Sequence, residues 1–210
     1  MSGPGIPASL DRPERDNIVP VRHQVTQDER AARTKHHGAV LWFTGLPGSG
    51  KSTLAMALER RLFDLKWQVY TLDGDNVRRG LSADLGFSPH DREENIRRVG
   101  EVAALFADAG AICIVAFISP YRADRARARA AAGERRFFEV YVKSALATCE
   151  RRDPKGHYRR ARAGEIKDFT GVDAPYEAPE RPAIVIDTET QDIEACVAQL
   201  LSFVVEGCRA

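Results

Sequence analysis

The 210 residues contain only four cysteines, two tryptophans and two methionines, and neither charge is in surplus, with 31 Lys and Arg against 30 Asp and Glu. Cys113, Cys149, Cys196 and Cys208 lie far apart and form no C-x-x-C pair, which argues against a disulfide framework and against structural zinc. A net charge of +1 supplies no long-range field for nucleic acid or a membrane surface, so anion recognition has to be local. No apolar run approaches the roughly 18 residues of a membrane span. The first residues carry prolines, Asp11, Arg12, Glu14 and Arg15 where a secretory signal needs an apolar stretch. The expectation is a cytoplasmic protein with no membrane partner and no nucleic-acid partner.

What is present is a glycine-rich loop in the context that gives it meaning. Gly45-Leu46-Pro47-Gly48-Ser49-Gly50-Lys51-Ser52 fits G-x-x-x-x-G-K-[ST], directly after the apolar run Ala39–Thr44 and directly before a helical pattern that opens at Thr53. Glycines let successive backbone N–H groups face a phosphate. Lys51 reaches the β- and γ-phosphates of a nucleoside triphosphate, the Ser52 hydroxyl serves Mg²⁺, and the helix N-terminus adds a favourable field. Residues 45–53 therefore form the expected ATP-binding stretch.

The rest of the chain alternates strands and helices. Strands are expected at 39–44, 68–72, 111–117, 137–142 and 182–187. Helices are expected at 26–35, 52–65, 76–85, 91–109, 123–136 and 192–205, with 86–90 as a loop. Thr26 followed by Glu29 has capping-box spacing. Residues 1–16, rich in Pro, Gly and charge, read as a flexible tail, and 17–21 as a short extended piece. This alternation implies an α/β fold, a three-layer sandwich around a mostly parallel five-stranded sheet, with strand order left open. The second strand delivers Asp73 and Asp75 at its C-terminal end, where ligands bind in open parallel sheets. Residues 151–168 hold seven basic side chains against three acidic ones, a composition suited to a lid over a polyphosphate, set here at about 151–171.

A phosphate loop alone does not name a reaction. No Asn-Lys-x-Asp pattern of a guanine-specific switch occurs, and the strand ending at Phe117 runs into Ile118-Ser119-Pro120 without the acid that a motor or transport ATPase places there. Asp73 and Asp75 are the strand-end acids beside the loop, and a small-molecule kinase needs such groups to hold Mg²⁺ and orient the attacking hydroxyl. Another small-molecule or nucleoside kinase, or a non-catalytic nucleotide-binding module, remains compatible with these residues.

Leu72-Asp-Gly-Asp-Asn-Val-Arg78, Asp84-Leu-Gly-Phe-Ser88, Asp91-Arg-x-Glu-Asn-Ile-Arg-Arg98, Phe117-Ile-Ser-Pro-Tyr-Arg122, Arg152-Asp-Pro-Lys-Gly156, Ala161-Arg-Ala-Gly164 and Phe169-Thr-Gly-Val-Asp-x-Pro-Tyr-Glu177 resemble, in order and spacing, the adenylyl-sulfate kinase family. The resemblance runs from about Asn17 to the last helix and makes 17–210 the kinase domain. It implies a fold like that of P-loop nucleoside triphosphate hydrolases. The implied reaction is transfer of the ATP γ-phosphate to the 3′-hydroxyl of adenylyl sulfate, with Mg²⁺, in sulfate activation. A homodimer and an association with ATP sulfurylase are implied as well.

Carried over by motif, Asp75, Arg78, Phe87, Arg92, Asn95, Ile118, Ser119, Lys155, Gly156 and Phe169 form the adenylyl-sulfate site, and Phe87 and Phe169 sandwich its adenine. Arg152 covers ATP. Lys51, Asp73 and Ser119 are the candidate catalytic residues, and Ser52 and Asp73 the metal-facing pair. The family pattern offers Ser119 as a phosphoserine intermediate. With no His or Lys base beside it in sequence it makes a weak nucleophile, and substrate positioning is the expected role. Pro47, Pro20 and His157 depart from the family's usual Ser, Trp and Leu. Pro47 removes one backbone donor from the loop, and ATP binding is expected to survive it.

Overall fold

The computed structural model describes residues 19, 21, 23–133 and 137–210. The tail expected over 1–16, most of the extended piece over 17–21 and residues 134–136 lie outside them. Five strands, β1 (Ala39–Thr44), β2 (Val69–Asp73), β3 (Ile112–Ala116), β4 (Phe137–Lys143) and β5 (Ile184–Asp187), form one sheet in the order β2-β3-β1-β4-β5 with every pairing parallel. Between and around them run α1 (Gln27–Thr34), α2 (Lys51–Asp64), α3 (Gly74–Val77), α4 (Pro89–Asp108), α5 (Arg122–Ala132), α6 (Leu146–Arg152), α7 (His157–Arg162) and α8 (Ile193–Cys208).

Strand periodicity sorts the core into two halves. Along β1, which is buried at every position, Leu41 and Phe43 point to the layer of α2 and α8 and pack with Leu54, Leu58, Leu62, Val197 and Leu200. Val40 and Trp42 point the other way and pack with Ile96, Val99 and Ala103 of α4 and Ala128 of α5. A strand covered on both faces has to be apolar throughout, which is why β1 and β3 read as continuous hydrophobic runs. At the opposite end from the phosphate loop, His36 is fully buried, stacks on Trp67 at 4.7 Å and accepts the Gln68 N–H through Nε2 at 3.0 Å.

Local chemistry fixes most boundaries. Thr26 and Glu29 form the full capping box at the start of α1. The sequence suggests a loop over 86–90, but α4 already begins at Pro89: the Ser88 side chain accepts the Asp91 N–H, and proline is well suited to the first helical turn. The helix expected over 76–85 is corrected to the single turn of α3 followed by irregular turns. Its backbone bonds run from Gly80 to Val77 and from Ala83 to Gly80, and glycine in the middle disfavours a continuous helix. Helix α5 ends at Ala132, ahead of the expected Arg136, and α8 continues three residues past Val205.

The strand order places the chain reversal at β1, between β3 and β4. The segments that follow all five strands therefore gather at one edge of the sheet, over the crevice where ligands bind in doubly wound folds.

Candidate active site

The phosphate loop leaves β1 under two constraints that only glycine meets. A Cβ on Gly45 would lie 2.4 Å from the Val142 carbonyl oxygen of β4, and Gly50 turns into α2 at φ +101°. Lys51 opens α2 buried beneath the loop, where its Nζ donates to the carbonyl oxygens of Gly45 at 2.9 Å and Leu46 at 2.7 Å. Burial disfavours the charged ammonium and pushes its pKa down to about 8, while the nearby Asp73 carboxylate acts in the opposite sense.

Next along α2, the Ser52 hydroxyl donates to Asp73 Oδ2 at 2.7 Å. Asp73 ends β2 and caps α3, its other oxygen accepting the Asp75 N–H at 3.0 Å. The two acids thus have separate work in the structure: Asp73 faces the phosphate loop, and Asp75 reaches across to form an ion pair with Lys155 from the segment between α6 and α7.

These groups line one cleft of about 1720 Å³. It brings together Pro47 through Thr53, Asp73, Asp75, Arg78, Phe87, Arg92, Asn95, Ile118, Ser119, Arg152, Lys155 and Phe169. Gly45, Leu46 and Gly156 from the sequence reading are not on its wall. Gly45 and Leu46 hold Lys51 from behind, and Gly156, at φ +67°, is the N-cap of α7.

On the side away from the phosphate loop, Arg78 lays its guanidinium over the Phe87 ring, 4.5 Å from the centroid, and donates to the Gly86 carbonyl at 2.7 Å. Phe87 itself is 68% exposed. Arg92 donates to the carbonyls of Phe87 at 2.9 Å and Asp168 at 2.6 Å. It therefore joins the start of α4 to the segment carrying Phe169. Asn95, a residue of the cleft wall, is buried, and its Oδ1 has no hydrogen-bond partner among the described residues.

Phe169 behaves differently from Phe87. Only 8% exposed, it packs edge-on against Tyr158 at 5.0 Å and His157 at 6.2 Å, in a small apolar cluster with Cys149 and Ala161. It presents an edge of itself to the cleft and spends the rest in packing. Tyr158 in turn donates to the Pro47 carbonyl at 3.0 Å, so the α7 segment rests on the phosphate loop.

The floor of the cleft is the end of β3. Ser119 is a non-glycine residue at φ +39°; its hydroxyl accepts the Trp42 indole N–H at 3.0 Å, and the Thr44 hydroxyl donates to the Ile118 carbonyl at 2.7 Å. No basic side chain bonds the Ser119 hydroxyl among the described residues. Sequence reasoning missed Thr188, just past β5, which accepts from Arg152 at 3.0 Å and bonds the Ser49 carbonyl at 3.1 Å. Its position at a strand end on the ligand side was the available signal.

The donor set suits a magnesium ion. A hydroxyl and a carboxylate 2.7 Å apart, both hard oxygen donors beside a phosphate loop, match a metal that takes one or two protein oxygens and completes its shell with water and substrate phosphate. No cluster of three or more His, Cys, Asp or Glu side chains fit to hold a metal occurs among the described residues. Such a cluster is the mark of a dedicated all-protein site. Among them, too, no helix is long and apolar enough to cross a membrane.

Comparison with known proteins agrees with this geometry. The family described as adenylylsulphate kinase matches residues 37–187. The adenylyl-sulfate kinase of Shewanella amazonensis is 57% identical over 192 residues, 91% of this chain and 97% of its own length, and that of Oceanobacillus iheyensis is 57% identical over 187 residues, 89% and 94% respectively. Among solved structures, a Mycobacterium tuberculosis APS kinase in complex with AMPPNP and APS superposes with a TM-score of 0.77 at 47% identity, covering 80% of this chain and 97% of that one. A Sinorhizobium meliloti gluconokinase, at 17% identity and a TM-score of 0.54, shares the fold alone.

Proposed function

The chain belongs to the adenylylsulphate kinase family and phosphorylates adenylyl sulfate with ATP to give 3′-phosphoadenylyl sulfate and ADP, and from that premise we propose how its residues divide the work. ATP lies along residues 45–53, with its phosphates against the loop N–H groups and the α2 N-terminus. Lys51 leaves the Gly45 and Leu46 carbonyls and moves to the transferring phosphoryl oxygens, where its positive charge is worth most as charge spreads over them. Arg152, anchored on Thr188, covers the nucleotide.

Ser52 and Asp73 hold Mg²⁺, which supplies neutralisation of the phosphate charge when bound. Asp73 also orients the 3′-hydroxyl and accepts its proton as the new bond forms. Asp75, Arg78, Phe87, Arg92, Asn95 and Phe169 bind the acceptor: guanidinium forks suit the oxygens of a phosphate-sulfate anhydride, and the open Phe87 face suits a stacked adenine. For this to happen Lys155 exchanges Asp75 for the anionic substrate, so the segment about 151–171 acts as a lid. Ile118 and Ser119 form the floor, and Ser119 positions substrate without carrying the phosphoryl group. The reading includes a cytoplasmic enzyme acting as a homodimer in association with ATP sulfurylase, as the family resemblance implies.

The observation that carries these assignments is the Ser52–Asp73 bond at 2.7 Å, facing a cleft whose far side is lined by Arg78 and Arg92. The test is transfer of γ-labelled phosphate from ATP with Mg²⁺ to adenylyl sulfate, with AMP and adenosine as competing acceptors and the product position located by NMR. Label on the 3′-oxygen of adenylyl sulfate, with both unsulfated compounds poor, is the expected result. Equal use of AMP would remove the anion-reading role given to the arginines.

A further inference from the structure

Helix α5 is so rich in arginine that its sequence reads as a solvated face. One of those arginines is not solvated. Arg125 is 3% exposed, and its guanidinium spends three donors on three different segments: Nε to Glu139 Oε1 of β4 at 2.6 Å, Nη1 to the Ser119 carbonyl at 2.7 Å, and Nη2 to the Glu177 carbonyl at 2.8 Å. Around it the same two carbonyl-bearing segments meet again. Glu177 N–H donates to the Pro120 carbonyl at 2.9 Å, and the Arg122 N–H donates to the Glu177 carboxylate at 2.8 Å. On the other side, Thr44 shares a 3.0 Å hydrogen bond with the Tyr176 hydroxyl while donating to the Ile118 carbonyl.

Burying an ion pair is a poor way to gain stability, because desolvation offsets most of the attraction and a well-packed apolar pair often does as well. What the guanidinium supplies that an apolar side chain cannot is fixed geometry: a rigid plane with donors pointing in set directions. Here those directions lead to the floor of the cleft, at the residue with the left-handed backbone, and to the far end of the segment that begins at Phe169. Neither Arg125 nor Glu139 lies on the cleft wall.

We propose that Arg125, held by Glu139, is a positioning residue of the acceptor site, fixing the separation between the Ile118–Ser119 floor and the 169–177 segment between which the acceptor is held. The inference rests on the reading that Ile118 and Ser119 floor the adenylyl-sulfate site. Arg125 touches no substrate. It acts through two carbonyls, and the ATP side of the cleft makes no contact with it among its hydrogen bonds.

The test is steady-state kinetics of Arg125→Lys, with each substrate varied at saturation of the other and thermal unfolding measured in parallel. Lysine keeps the charge beside Glu139 but cannot reach both carbonyls in one plane. The expected result is a KM for adenylyl sulfate raised about tenfold with the KM for ATP within about twofold, as a small misplacement of one substrate demands. A folded variant with unchanged KM for adenylyl sulfate, or with both KM values raised alike, overturns the proposal. Should Arg125→Lys fail to fold, Glu139→Gln keeps both carbonyl bonds and removes the counter-charge, which Glu139 also offers to Arg129 at 3.8 Å. A rise of about threefold in the KM for adenylyl sulfate alone is then expected, and no rise overturns the proposal. Ile118→Ala, on the cleft wall, separates the two readings: if it also leaves the KM for adenylyl sulfate unchanged, the floor assignment fails; if it raises that KM while Arg125→Lys does not, the brace alone fails.

Discussion

Replacing Asp73 by Asn changes one charge and almost nothing else. The two side chains have the same shape, and the cap on α3 survives because an amide oxygen accepts the Asp75 N–H as the carboxylate does at 3.0 Å. On the other oxygen, an amide nitrogen would donate to Ser52 Oγ, which now donates to Asp73 at 2.7 Å, so the hydroxyl turns round and no group is orphaned. Asn and Asp are near-equal N-caps, and the change in stability should stay within about 0.5 kcal/mol, or about 2 °C in the unfolding midpoint for a chain of this size. Turnover should respond quite differently. A positioned base typically contributes about 10²- to 10⁴-fold, which is about 3–5 kcal/mol at the barrier, and loss of metal-facing charge acts in the same direction. The expected result is a kcat lowered about 10³-fold, with affinity for a non-hydrolysable ATP analogue, measured by calorimetry without Mg²⁺, changed less than about threefold. Because Ser52 and Asp73 share one bond, Ser52→Ala and Asp73→Asn should be non-additive in a double-mutant cycle. A kcat within about threefold of the parent, or a fall in nucleotide affinity equal to the fall in kcat, would falsify the assignment of Asp73 to the chemical step.

Lys51 should take up protons when it meets phosphate. With its pKa held down to about 8 by burial, roughly three-quarters of the sites are neutral at pH 8.5 and roughly 0.1 at pH 7, so ATP binding should absorb about those numbers of protons. Calorimetry in buffers of different ionisation enthalpy reads this directly, and the uptake should vanish in Lys51→Met; equal uptake at both pH values refutes it. His36 should make the fold acid-sensitive. Burial lowers its pKa, the unfolded chain binds the proton more readily, and stability is therefore lost as pH falls below about 6.5, with a slope of at most about 1.4 kcal/mol per pH unit. Urea unfolding between pH 5 and 7 should show a shallower slope in His36→Gln; identical slopes would assign the acid sensitivity elsewhere.

The readable parts of this chain are those in which a local pattern has a single physical solution. The run at Ala39–Thr44 could only be a strand covered on both faces, and Thr26 with Glu29 could only open a helix. Strand order was not legible, because each crossover has the same local pattern whichever neighbour its strand joins. Ser88-Pro89 held an N-cap and first-turn proline, yet Gly86 and Pro89 together imitate a loop. Within the site, the residues on the phosphate loop and at the end of β2 were legible because the loop motif names their chemistry. The packing of Phe169 was not: an aromatic that serves a ligand and an aromatic that fills a core are the same letter. Only the burial against Tyr158 shows that this one does the second for most of its surface.

Arginine was the least legible residue of all. The sequence suggests two uses for it, solvated helix faces and contacts to substrate oxygens, yet besides Arg78 on the nearby Gly86 carbonyl, three arginines around the cleft are bound to backbone carbonyls of distant segments. Arg92 ties Phe87 to Asp168, Arg125 ties Ser119 to Glu177, and Arg152 grips Thr188 through both its hydroxyl and its carbonyl. The Ser119 and Thr188 carbonyls lie just past a strand end, where the sheet's own hydrogen bonds have stopped and side-chain donors have to pair the free carbonyls, while those of Phe87, Asp168 and Glu177 lie in the longer connections between elements. Lysine could supply the charge but not two fixed directions. On the proposed division of labour, the site depends on guanidinium geometry twice: at Arg78 and Arg92 for what the substrate presents, and at Arg92, Arg125 and Arg152 for where the walls stand. Arg92 belongs to both sets. If substrate oxygens recruit it, as proposed, they compete with the Phe87 and Asp168 carbonyls, and acceptor binding and the spacing of the two aromatic segments are then coupled through one side chain.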